Sequence, residues 1–335
     1  NRKKEQFLKS LEDQYPRYYT LKNMGEQTSI GQLQENLKPD EGYLSFLQGH
    51  DSLYLMTVTV DSVLLSSLEI QKATKLIDRL NDAVHENNQD SILFYSQQIM
   101  QIFRLNINGI DHLHIIPDGI AWELNLAALA SEELDEISYF GNDKKLTFQY
   151  FSSFDRKIEK PKDDSDILAF SFSGKFAKQN TSYLALRDLS KSIPGTSKEV
   201  KAISGIWEGS YYYGKGATET NFKQLSEDYA MIHLAVHGIQ DDNFPENSYL
   251  QFAEDDSLND GKLYAYELYN RDLNAKLAVL TACNSGNGKV VTGEGMMSIG
   301  RAFSYAGVQS ILISRWEVPD ISTPLIMKYF YEGLK

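Results

Sequence analysis

The chain has a single cysteine, Cys283, and six histidines. A thiol is the best side-chain nucleophile near neutral pH once a neighbouring base lowers its pKa, and imidazole is the usual base. One histidine and the cysteine each stand directly after an apolar run. His237 follows Met231-Ile232-His233-Leu234-Ala235-Val236, and Cys283 follows Leu277-Ala278-Val279-Leu280-Thr281-Ala282. Both runs read as buried strands. As neighbours in a parallel sheet, they would bring His237 and Cys283 to carboxyl ends, where such sheets gather functional residues, facing one crevice. The chemistry is then covalent attack on an amide, which also needs donors for the developing oxyanion. Two amides qualify: that of Gly238, which no side chain covers, and that of Cys283, where the strand opens into Asn284-Ser285-Gly286-Asn287-Gly288.

Each residue has a plainer reading when taken alone. A cysteine near a strand end is usually a small buried hydrophobe. A histidine within an apolar strand is usually structural, and His233 is read that way. It lies four residues before His237, so in one continuous strand the two would face the same side. Asp111, His112 and His114 could suggest a metal, but a strand with alternating histidines is more often structural, and no metal is expected. Gly293-Glu294-Gly295 lacks the Lys and Ser or Thr of a phosphate loop and reads as the turn into a helix. That helix end would favour a thiolate if it pointed at one.

The elements that must position this pair follow from periodicity. In the N-terminal part, residues 1–36 are polar, and 53–60 has strand composition. Residues 68–86 and 90–104 read as amphipathic helices, 112–116 as a strand closed by the turn Pro117-Asp118-Gly119, and 146–151 as a strand. Nine of the twelve residues in 155–166 are charged, which predicts a solvated connector. Beyond it strands are expected at 167–173, 210–213, 230–236, 276–282 and 310–316, and helices at 197–207, 219–225, 295–305 and 321–333. Residues 249–252 and 262–264 are expected to form a hairpin. Alternating strands and helices imply an α/β fold with a mostly parallel sheet flanked by helices. The division expected is an N-terminal α/β region, 1–160, and a second half, 161–335.

Composition limits the partners. The 335 residues are 42% hydrophobic, enough for a sizeable core, and the formal net charge of −13 disfavours nucleic acid. One cysteine excludes a disulfide framework and a thiolate zinc site. A lone thiol suits a reducing, cytoplasmic setting. No segment approaches the roughly 20 apolar residues of a membrane span. The chain begins at Asn1 and ends inside a helical pattern, so it is read as a fragment, truncated at its C-terminus.

The two strand ends together are more specific than either alone. Cys283 lies 46 positions after His237, and caspase-type enzymes separate their His from an Ala-Cys block by roughly 50. Residues 190–335 resemble a CHAT domain, a caspase-like family often joined to tetratricopeptide repeats and distantly similar to separase. The resemblance rests on Ile193-Pro194-Gly195-Thr196, Gly216-Ala217-Thr218-Glu219, Ile232 to Gly238, Asp260-Gly261-Lys262-Leu263, Leu280 to Gly286, and Ile313-Ser314-Arg315-Trp316-Glu317-Val318. Upstream, Leu37-Lys38-Pro39-Asp40-Glu41 and Ile116-Pro117-Asp118-Gly119 resemble the N-terminal portion of the same family.

The resemblance implies a cysteine endopeptidase acting on a protein or peptide, with Cys283 as nucleophile, His237 as base and acid, and no cofactor. It implies an N-terminal degenerate caspase-like half, and control by a regulatory protein or a tetratricopeptide-repeat region. One departure matters: Asn284 follows the cysteine where caspases carry Arg or Gln before Gly, so an Asp-specific pocket is not expected. In this clan the segment after the next strand builds the S1 pocket. Glu317 and Asp320 there, with Asp241 and Asp242 after the histidine, would suit a basic P1 residue. The alternative is a non-catalytic protein-interaction module that keeps the fold, against which the presence of both His237 and Cys283 argues.

Overall fold

The computed structural model describes residues 29–149 apart from 106, 108, 134 and 135; 166–172; 195–281 apart from 240, 242, 243 and 256–258; and 289–291, 295–297, 299–313 and 322–335. These residues divide into two compact units, the first drawn from 29–149 together with 290–296, and the second from 166–289 and 297–335. The connector expected at 155–166 lies outside the described residues except for Asp166.

The first unit opens with α1 (Ile30–Asn36), whose N-terminus is closed reciprocally. Ser29 accepts from the Gln32 amide, and the Gln32 side chain accepts from the Ser29 amide. Its sheet runs β3-β2-β1-β4-β7. Strands β1 (Glu41–Gln48), β2 (Ser52–Val58) and β3 (Val63–Glu69) form an antiparallel meander, while β4 (His112–Ile116) and β7 (Lys145–Phe148) add in parallel. Helices α2 (Ile70–His85) and α3 (Gln89–Ile102) bury Ile77, Leu80, Ile92 and Ile99 with Leu44, Leu55, Leu113 and Ile115. A ribbon of β5 (Ala130–Glu133) and β6 (Glu136–Tyr139) and the turn helix α4 (Phe140–Asp143) complete it. The turn expected after β4 forms with Gly119 at φ +56°, in the left-handed region that glycine adopts without strain. It is tied to β1: Gln48 N–H donates to Asp118 Oδ2 at 2.8 Å, and Ile120 N–H donates to Gln48 Oε1 at 2.7 Å.

The second unit is built on a fully parallel sheet, order β17-β14-β10-β8-β9. Its strands are β8 (Ile167–Ser171), β9 (Gly209–Tyr213), β10 (Met231–Ala235), β14 (Leu277–Leu280) and β17 (Ser310–Ile313). Every residue of β8 and β10 is buried, as expected of central strands covered on both faces. The twofold side-chain alternation splits them between two cores. Leu168, Phe170, Ile232, Leu234, Ala278 and Leu280 pack with Phe222 of α6 (Glu219–Leu225) and Phe303 of α8 (Ile299–Tyr305). On the other face Ile167, Met231 and Val279 pack with Ile203 of α5 (Gly195–Ser204) and Met327 and Tyr331 of α9 (Thr323–Leu334).

Between β10 and β14 lies an antiparallel sheet of β11 (His237–Ile239), β12 (Tyr249–Gln251) and β13 (Lys262–Tyr264), followed by the short helix α7 (Ala265–Leu268). A ribbon of β15 (Lys289–Val291) and β16 (Gly295–Met297) precedes α8. The expected helix at 295–305 is therefore corrected. Residues 295–297 form β16, paired with β15, and the helix runs over Ile299–Tyr305 with most of its residues buried. The chain is α/β with a parallel sheet flanked by helices. Among the described residues no helix is long and apolar enough to cross a membrane.

Candidate functional site

β10 stops at Ala235. Val236 makes a bend, and His237 begins β11, paired opposite Gln251. The expectation of one continuous strand from 230 to 236 running into the histidine gives way to two strands with a corner between them. His233 and His237 consequently belong to different sheets, and their four-residue spacing is not a same-face relation. The corner is anchored by apolar side chains, since Ala235 and Val236 are fully buried.

His237 itself is 7% exposed. Burial in this apolar setting lowers its pKa below the ordinary 6.5, because the protonated ring loses solvation. Burial by itself therefore favours the neutral ring, the form a general base needs. Gly238 pairs opposite Leu250. Behind β11, Gln251 donates its side-chain N–H groups to the carbonyls of Phe252 (2.8 Å) and Gly261 (3.0 Å), which holds the β12–β13 turn against the histidine strand. Gly261 has φ +75° and Asp260 Oδ1 accepts from Lys262 N–H at 3.0 Å, so the Asp-Gly-Lys-Leu motif is a turn.

β14 lies directly beside β10, with Leu280 in register with Leu234. The ladder runs one residue further, as Thr281 N–H donates to the Leu234 carbonyl at 3.2 Å. The Thr281 hydroxyl is buried with no hydrogen-bond partner among the described residues. Cys283, Asp242, Glu317 and Asp320 lie outside the described residues. Asp241 is described, and its Oδ1 accepts from Phe244 N–H at 2.9 Å, a loop-closing role.

Other family-motif residues resolve into structural roles. Thr218 caps α6 by accepting from Asn221 N–H at 3.2 Å. Buried Glu219 pairs with Lys223 at 2.5 Å, and Lys223 also reaches Glu267 at 2.5 Å. Two polar groupings escaped sequence reasoning. His233 is fully buried between Glu199 (Nε2 to Oε1, 3.0 Å) and the Tyr331 hydroxyl (3.1 Å from Nδ1), which makes it structural and gives it partners 34 and 98 positions away. In the first unit His112 and His114 converge on Glu41 instead of Asp111. Burial, with His112 beside it, pushes His114 down to about 4. Separations of this length carry no local sequence signal.

The histidine corner thus stands at the carboxyl end of a parallel α/β sheet, beside the end of a second strand. The CHAT domain family model matches residues 92–335, and the chain belongs to that family, whose members are of caspase-like peptidase type or serve in protein interaction. Tetratricopeptide repeat protein 28 of Mus musculus is 36% identical over 72 residues, covering 22% of this chain and 3% of that protein. The Homo sapiens protein of the same name matches at the same identity and extent. The chain thus spans a very small share of the length of these relatives.

Proposed function

We propose that the chain is a cysteine endopeptidase working through a Cys283/His237 dyad. The observation that carries this reading is the register between β10 and β14. Leu234 and Leu280 are paired, and His237 and Cys283 each follow their paired leucine by three residues. A crevice shared by the two side chains is what that symmetry supports, and burial that favours the neutral ring of His237 suits the role of base.

In the proposed cycle His237 takes the thiol proton and the Cys283 sulfur attacks the scissile carbonyl carbon. The amides of Gly238 and Cys283 hold the oxyanion. The imidazolium protonates the leaving amine, giving a thioester, and His237 then deprotonates the water that hydrolyses it. Neither metal nor organic cofactor enters these steps. Asp242, Glu317 and Asp320 are the proposed acids for a basic P1 side chain, and the N-terminal unit is proposed as a degenerate caspase-like half. The names of the matched relatives support a tetratricopeptide-repeat region as the regulatory partner. A thiol nucleophile works in a reducing compartment, and the cytoplasm is the proposed location.

Labelling by a peptide electrophile with Arg at P1 tests the assignment. Wild type should label much faster than Cys283→Ala or His237→Ala. Labelling no faster than Cys283→Ala, with the repeat partner supplied, would reject it. Glu317→Gln and Asp320→Asn should together cut the preference for Arg over Leu at P1 by about tenfold or more, the worth of a charge-assisted hydrogen bond.

A further inference from the structure

We infer that Glu41, His112 and His114 form a binding site for a divalent transition-metal ion of the zinc class on the first unit. β1 and β4 are parallel neighbours with Glu41 opposite His112 and Tyr43 opposite His114. Residues two apart on a strand share a face, so both imidazoles project from the same side of β4 while Leu113 and Ile115 point into the core. Glu41 Oε1 lies 3.5 Å from His112 Nδ1, and Oε2 lies 4.0 Å from His114 Nε2. The three donor atoms fall within 4.8 Å of one another. A tetrahedral zinc ion with bonds of about 2.0–2.2 Å needs donors roughly 3.4 Å apart, so side-chain shifts of about an ångström would close the set.

The donor set fits the chemistry. Two imidazoles and one carboxylate suit zinc and its neighbours, whereas magnesium and calcium demand oxygen ligands. Three protein donors leave a fourth position for water. Each of the three side chains is 14% exposed, half-sunk in the sheet surface yet reachable by an ion.

The rings are also held from behind, as ligating histidines are. His112 Nε2 lies 2.8 Å from Thr147 Oγ1 on β7, which can accept its N–H and leave Nδ1 facing Glu41. His114 Nδ1 lies 3.4 Å from the Gln149 carboxamide, and a half turn of that group presents its oxygen. Tyr43 stacks on His114 with centroids 4.7 Å apart, fixing the ring plane. Lys38 competes for Glu41 twice: its ammonium sits 3.1 Å from Oε1 on a side chain that is 74% exposed and can swing into water, and its backbone N–H donates to Oε2 at 3.2 Å, leaving Oε1 as the oxygen open to an ion.

The test uses the full chain carrying Cys283→Ala, so that no thiolate contributes a ligand. Chelator-stripped protein is titrated with Zn2+ in competition with a chromophoric chelator, and separately with Co2+ read by its visible absorption. The expected result is one Zn2+ per chain at micromolar affinity or tighter. Glu41→Gln and His114→Ala should each weaken it roughly tenfold or more, and Thr147→Val by a similar factor through His112 alone. The Co2+ bands should vanish in His112→Ala. Failure of the parent to bind at micromolar Zn2+ overturns the assignment. So does an affinity unchanged in Glu41→Gln and Thr147→Val, two replacements close in size to the originals and checked for native circular dichroism.

Discussion

With its ring almost wholly buried, His237 holds a proton less readily than a histidine in water. The consequence has a definite sign. The folded chain keeps the ring neutral to lower pH than the unfolded chain does, so the unfolded state gains the extra proton. Stability from this group is complete above the ordinary 6.5 and is lost as pH falls below it. In Cys283→Ala, where no thiolate holds the imidazolium, an NMR titration of His237 should give a midpoint below 6.5, and a midpoint at or above 6.5 would contradict the burial argument. Gly119 holds a left-handed backbone at φ +56°. Alanine there needs a left-handed backbone and sets Cβ against the Gln48 side chain, so Gly119→Ala should cost about 1–2 kcal/mol in urea unfolding. The turn was legible in Pro117-Asp118-Gly119 because its chemistry is local. The corner at Val236 was not, since nothing in an apolar run marks where a ladder changes partner.

Between elements, the trio Glu199, His233 and Tyr331 joins α5, β10 and α9 within one core. Burial pushes the Tyr331 hydroxyl well above the ordinary tyrosine range, so it stays a neutral partner. Tyr331→Phe strips His233 Nδ1 of that partner and should cost about 1–3 kcal/mol. Glu199→Ala, which leaves His233 Nε2 buried beside no carboxylate, should also cost about 1–3 kcal/mol. A double-mutant cycle on chemical unfolding should return a coupling of at least ~0.5 kcal/mol, and strict additivity would mean the trio does not act as a unit. The strands of this sheet were readable from composition, because central parallel strands are apolar throughout. β1 and β3 were not. β1 begins with the polar Glu41-Gly42, and β3, an edge strand with no buried residue, turns Ser66 inward and Leu65 outward, so its sequence does not alternate with its burial.

For the molecule as a whole, the described core residues of the first unit run from Leu37 to Phe140. Residues 25–156 alone should therefore fold, with a cooperative urea transition and near-ultraviolet dichroism; a broad transition without that signal would show that the unit depends on the rest of the chain. The α/β class was legible from alternating strand and helix patterns, and the order of the two motif blocks carried the family. What sequence could not supply was the pairing of β10 with β14, on which the proposed dyad depends, because strand adjacency is set by packing across the sheet.

Because Cys283 is the only thiol, its alkylation can be followed without ambiguity. The rate of reaction with iodoacetamide, measured against pH in wild type and His237→Ala, reads the thiolate directly and needs neither substrate nor activator. The dyad predicts a wild-type midpoint well below the usual value of about 8.5, returning toward it when the imidazole is removed. Identical profiles near that usual value in both proteins would contradict it.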